Sequence, residues 1–227
     1  MKRNIDLNEI TDGRFYQLDD MVRTDCRDCV GCSKCCHEMV DTIVLDPLDC
    51  FRLSTALSCT FDKLIADEKI ELELIDGIIL PHLKFQQNTG CCPFLNTIGR
   101  CDIHAFRPGF CRMFPLGRYY SNRTFCYILQ TKECPKPRSK TKVSKWIDTI
   151  LLPQNQKFIN DWHYFLEDLA KQFLSCPPET IRQAQLYLLH TFYRTKYSLS
   201  GDSAETTETE FYQEFYKRFE KAQALLG

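Results

Sequence analysis

CVGCSKCC, Cys29 to Cys36, sets four thiols in eight positions, and Cys26 extends the same rhythm upstream. Cys29, Cys32 and Cys35 repeat the C-x2-C step at which thiolates of one turn reach a single metal centre, as in the C-x2-C-x2-C run of bacterial ferredoxins. A zinc site more often pairs two such units across a longer segment, so the triple run tilts toward an iron–sulfur cluster. Adjacent side chains diverge. Cys35 and Cys36 therefore serve different metals, or one is a spare thiol, and Cys26 competes with Cys29 for the place of first ligand.

Thirteen of the 14 cysteines lie between Cys26 and Cys134. The complementary ligands are expected from residues 90–117, GCCPFLNTIGRCDIHAFRPGFCRMFPLG, where Cys92, Cys101 and Cys111 sit among turn formers. Gly31, Gly90, Gly99 and Gly109 each fall within two residues of a cysteine, where backbone must turn tightly and approach a sulfur. Cys134-Pro135 repeats the Cys-Pro pairing of the fourth ferredoxin ligand, which makes Cys134 a late-ligand candidate. Inert thiols at this density would be an oxidation hazard, so metal binding is the expected role. His37 and His104 are the best-placed histidines, each expected to hydrogen-bond near the ligands rather than to ligate. Cys50, Cys59 and Cys126 are expected on or beside regular elements, and Cys176 as a plain structural thiol.

The chain of 227 residues is 44% apolar with a formal net charge of −1, enough to bury a core without covalent help. MKRNIDLNEITDGRF lacks the apolar stretch of a secretory signal, and no run approaches the ~18 apolar residues of a membrane span. The expectation is a cytoplasmic protein with no membrane partner, whose thiols are metal ligands or redox groups rather than a disulfide framework.

The expected fold class is α+β. A small irregular cysteine-rich metal-binding domain with short strands, residues 1–140, is followed by C-terminal helices over residues 141–227 that pack on it through their aromatic faces. Asp46-Pro47 starts a helix. Asp76-Gly77 and the region of Ser121-Asn122 turn two hairpins. Phe158, Trp162, Phe165, Leu169 and Phe173 form one helical stripe, and Phe211, Phe215, Phe219 and Ala222 another. Between them a helix starts at Pro177-Pro178-Glu179 and runs through Phe192, and GDSAETTETE reads as an acidic linker near residues 200–210.

Arg100, Arg107, Arg112, Arg118 and Arg123 are opposed in their stretch only by Asp102. Guanidinium groups there can offset an anionic thiolate cluster and tune its reduction potential. The basic 132–145 segment also admits contact with nucleic acid, the weaker reading because no aromatic-interleaved motif accompanies it.

CVGCSKCC, then DPLDCFRL from Asp46 to Leu53, then CPFLNTIGRCDIHAFRPGFCRMFP together resemble the YkgJ-type cysteine-cluster family, a C-x2-C-x2-CC zinc- or iron-chelating domain, over about residues 26 to 134. The resemblance implies a ligand set of Cys29, Cys32, Cys35, Cys36, Cys92, Cys101, Cys111 and Cys134. Eight thiolates suffice for two four-ligand sites, or for one cluster plus a zinc. Flagellin lysine N-methylases share similar cysteine motifs, but no Gly-rich nucleotide loop follows a predicted strand here. The expected function is metal binding, foremost one or two iron–sulfur clusters of the 4Fe–4S type in a redox role with a protein partner. The alternatives are a structural zinc-binding interaction protein and an iron–sulfur-dependent protein-lysine methylase.

Overall fold

The structure, a computed structural model, describes residues 7–25, 32–37, 43–131, 133–134 and 139–226. In chain order its elements are α1 (Leu7–Ile10), β1 (Thr11–Tyr16), β2 (Met21–Asp25), α2 (Pro47–Ala56), α3 (Phe61–Ala66), β3 (Ile70–Ile75) and β4 (Ile78–Leu83). There follow α4 (Gly109–Met113), β5 (Leu116–Ser121), β6 (Thr124–Gln130), β7 (Ser139–Lys142), α5 (Val143–Ile147), α6 (Leu152–Phe173), α7 (Pro178–Leu188) and α8 (Ala204–Leu226). Short strands in small sheets and long C-terminal helices make the chain α+β, the class its sequence predicts. Among the described residues no helix is long and apolar enough to cross a membrane.

Two compact units result, one from Val44–His82 with Ile150–Gly227, the other from Lys2–Ile43 with Leu83–Thr149. The first is the helical unit. Its α2 begins on a reciprocal cap: the Asp46 carboxylate accepts from the Asp49 N–H at 2.8 Å, the Asp49 side chain accepts from the Asp46 N–H, and Pro47 occupies the first turn without a wasted donor. β3 and β4 form a hairpin whose two-residue turn, Asp76 and Gly77, has both residues at positive φ, as the right-handed strand twist requires. The stripes of α6 and α8 interlock within this unit. Phe158 meets Phe215 edge to face at 4.7 Å, and Phe165 meets Phe219 at 5.1 Å.

After α7 the backbone loosens into a π-helix, Leu189–Arg194, where α-helix is expected to run on through Phe192. Arg218 accounts for the departure. Its guanidinium takes the carbonyls of Thr191, Thr195 and Lys196 at 2.7, 2.9 and 3.0 Å and lies over the Tyr197 ring, so groups freed from the regular ladder are satisfied by a side chain of α8.

GDSAETTETE is not a linker beyond Ser203. Helix α8 begins at Ala204, capped by reciprocal hydrogen bonds between Ser203 and Thr206, and Glu208 is buried against Arg52, whose Nε donates to it at 2.8 Å. Glu210 accepts from the Ser200 and Gly201 amides. Two of its acids, Glu208 and Glu210, thus meet donors supplied from elsewhere in the unit.

The second unit is the cysteine unit. A three-stranded sheet in the order β1-β6-β5 and the pair β2-β7 supply its regular frame, with Val22, Leu116, Tyr127 and Val143 buried beneath. The β5-β6 turn falls on Asn122 and Arg123, both at positive φ, one residue beyond the expected Ser121-Asn122. The expected β6 position of Cys126 holds, but its side chain is only half-buried.

Candidate metal centre

Four short segments of the cysteine unit carry thiols to the wall of one cavity. Cys32 precedes, and Cys35 and Cys36 occupy, a 3-10 turn in which the Cys36 N–H donates to the Ser33 carbonyl at 2.8 Å. That turn is tied directly to the second cysteine segment: the Cys92 N–H donates to the Cys36 carbonyl at 2.7 Å. Gly90 makes the approach feasible. It sits at φ +66°, and a Cβ there would lie 3.4 Å from the His37 carbonyl oxygen.

Asn96 folds the chain between Cys92 and Cys101. Its Oδ1 accepts from the Ile98 and Arg100 amides, its Nδ2 donates to Asp102 at 2.7 Å, and Gly99 takes the left-handed position of the turn. Leu95 and Cys101 then pair as an isolated antiparallel bridge, which returns Cys101 toward Cys92. Helix α4 presents Cys111, and the next residue, Arg112, is a brace. Arg112 Nε donates to the Arg107 carbonyl, Nη1 to the Asp148 carbonyl and Nη2 to the Ala105 carbonyl, while Trp146 Nε1 donates to the carbonyls at the end of α4.

Cys32, Cys35, Cys36, Cys92, Cys101 and Cys111 line one cavity of about 80 Å³. Its remaining wall is mainly apolar, with Phe85, Phe94, Ile103, Phe110 and Trp146. The Cys35 thiol is pushed well above its ordinary range, chiefly by a hydrogen bond with Cys36 and then by burial. Burial also raises Cys101, while the Arg107 guanidinium pulls both thiols back toward the thiolate. Arg107 Nε is buried and has no hydrogen-bond partner among the described residues, an orphan donor at the same cavity. In their chemistry, thiols with a positive donor beside them fit an anionic thiolate-ligated centre.

Of the other candidates, Cys29 and its competitor Cys26 lie outside the described residues. Cys134 is buried, and it is not one of the residues lining the cavity. Among the described residues no three His, Cys, Asp or Glu side chains stand close enough to share one ion. His37 takes the hydrogen-bonding place expected of it: its Nδ1 lies 3.2 Å from Cys91 Sγ and its Nε2 3.2 Å from Ser33 Oγ. His104 Nε2 accepts from Arg107 Nη1 at 2.8 Å, because an arginine can only donate. Cys91 is the neighbour that spacing did not single out, its one signal being adjacency to Cys92. Arg107 is one of the five arginines expected to offset the charge of a thiolate cluster, and it is the one whose charge acts on both Cys35 and Cys101.

No curated protein and no solved structure matches the chain. Residues 28–135 match a family model described as "putative zinc- or iron-chelating domain". The thiols gathered here thus sit within a span that is similar to the CxxCxxCC family of zinc- or iron-chelating domains.

Proposed function

We propose that the cysteine unit holds an iron–sulfur cluster of the 4Fe–4S type and serves one-electron redox chemistry with a protein partner in the cytoplasm. The ligands are drawn from Cys29, Cys32, Cys35, Cys36, Cys92, Cys101, Cys111 and Cys134. The supporting observation is the single cavity shared by cysteines of the CVGCSKCC loop and of the 92–111 segment, with an otherwise mainly apolar wall. When bound, the cluster supplies a one-electron store. The chain's own residues do the rest: two separated loops supply thiolates, aromatic side chains keep water away, and Arg107 sets positive charge beside the sulfurs.

Iron, zinc and acid-labile sulfide in anaerobically prepared protein test the reading, together with visible absorption. Iron and sulfide in equal amounts with a brown colour are expected, and both should fall in Cys36→Ser, Cys101→Ser and Cys111→Ser. Stoichiometric zinc without sulfide would replace the cluster by a structural zinc site. Metal content unchanged in all three variants, and in Cys29→Ser, would remove the ligand set altogether.

A further inference from the structure

Arg107 differs from the other arginine that braces this cavity. The three nitrogens of Arg112 each donate to a carbonyl, of Arg107, Asp148 and Ala105, so its role is to hold loops. Arg107 is held at both ends, its carbonyl accepting from Arg112 and its Nη1 donating to His104. Between those anchors its buried Nε donates to nothing among the described residues. Native proteins rarely leave such a donor dry, and the residues that line the cavity with Arg107 include thiols from two loops, Cys35 and Cys101 among them.

We infer that Arg107 is a positioning residue for the bound cluster: its Nε–H donates to a cluster or ligand sulfur, and its fixed charge raises the reduction potential. The inference rests on the iron–sulfur reading given above. Reduction adds one electron from an external one-electron donor and neither makes nor breaks a bond, so the product is more anionic by one charge. A neighbouring cation therefore favours the reduced form, and a hydrogen bond to sulfur acts in the same direction.

The test uses the full chain, reconstituted anaerobically, with Arg107→Gln and Arg107→Lys compared by iron and sulfide content, visible absorption and dye-mediated titration with dithionite. Both variants are expected to load as wild type does. Arg107→Gln should shift the reduced-to-oxidised ratio at least tenfold toward the oxidised form, about 59 mV for a one-electron couple. Arg107→Lys, which keeps the charge and loses the Nε donor, should recover most of that shift. A loaded Arg107→Gln protein with the wild-type potential overturns the inference, as does a lysine variant displaced as far as the glutamine one. If Arg107→Gln fails to load, a lysine variant with wild-type iron and sulfide supports the charge role, and one that also fails to load overturns it. Zinc without sulfide in the wild-type protein sinks the iron–sulfur reading itself, an outcome visible before any variant is compared.

Discussion

In the helical unit the largest fully buried side chains include Phe158, Phe192, Phe211 and Phe215, rings that meet one another between α6, α8 and the π-helix after α7. Around the cavity of the cysteine unit, by contrast, the chain is turn, 3-10 helix and the five-residue α4, with half-buried thiols where a core would hold hydrocarbon. The first arrangement draws cohesion from apolar area removed from water. The second has a smaller apolar wall, Phe85, Phe94 and Ile103 among it, and holds its loops by local hydrogen bonds, those of Arg112 and the Cys36–Cys92 link. On the function proposed above, a bound metal adds to that cohesion. The contrast assigns each unit its own weak point.

Chelation should have the largest effect and fall on the cysteine unit. Thiolate–metal sites contribute on the order of 10 kcal/mol of apparent binding free energy, which becomes folding free energy wherever the empty site is poorly ordered. Removing the metal should raise hydrogen exchange at the Cys92 and Asp102 amides and leave α6 and α8 protected. Equal loss of protection in α6 would break the comparison. The next largest effect belongs to the other unit. Phe158→Ala leaves a cavity among Phe211, Tyr212 and Phe215 and should cost about 3–5 kcal/mol in denaturant unfolding, with metal per chain unchanged.

What could be foreseen from sequence follows the range over which each signal acts. Asp46-Pro47 and Asp76-Gly77 carry their chemistry within a few residues, and both features stand where expected. The α6 and α8 stripes are periodic over several turns and equally plain. Asn122 and Arg123 were harder, since Arg123 takes a left-handed place that glycine more commonly fills. The acidic start of α8 and the π-helix after α7 were hidden, because their causes, Arg52 and Arg218, stand 156 and more than 20 residues away from the groups they satisfy. At the site, the cysteine spacing and neighbouring glycines pointed to two converging loops. Cys91 beside His37 and the orphan Nε of Arg107 depend on a third dimension that spacing does not encode.

A buried ion pair sharpens the comparison from the helical side. Glu208→Ala leaves the Arg52 guanidinium, 7% exposed, without the carboxylate it is hydrogen-bonded to and should cost about 3 kcal/mol. Arg52→Met combined with Glu208→Leu should recover most of that loss, since paired apolar groups of similar size avoid desolvating two charges. A double variant no more stable than Glu208→Ala would show that the pair carries net stabilisation of its own.

The smallest effect separates local from tertiary control at the start of α2. Asp46→Ala removes the acceptor of the Asp49 amide and should cost about 1 kcal/mol, whereas Asp46→Asn, an equally good cap, should cost a few tenths at most. Asn keeps the hydrogen bond and discards the charge, so the two variants distinguish capping from interaction with the helix dipole. If Asn were as costly as Ala, the carboxylate charge rather than its geometry would hold the helix start. Asp49, buried at 3% exposure and linked back to the Asp46 amide, makes the opposite outcome physically open: two carboxylates this close repel, and losing one charge relieves the other. A stabilising Asp46→Asn would therefore mean that the repulsion exceeds the dipole's attraction, while the capping hydrogen bond itself still sets the difference between Asn and Ala.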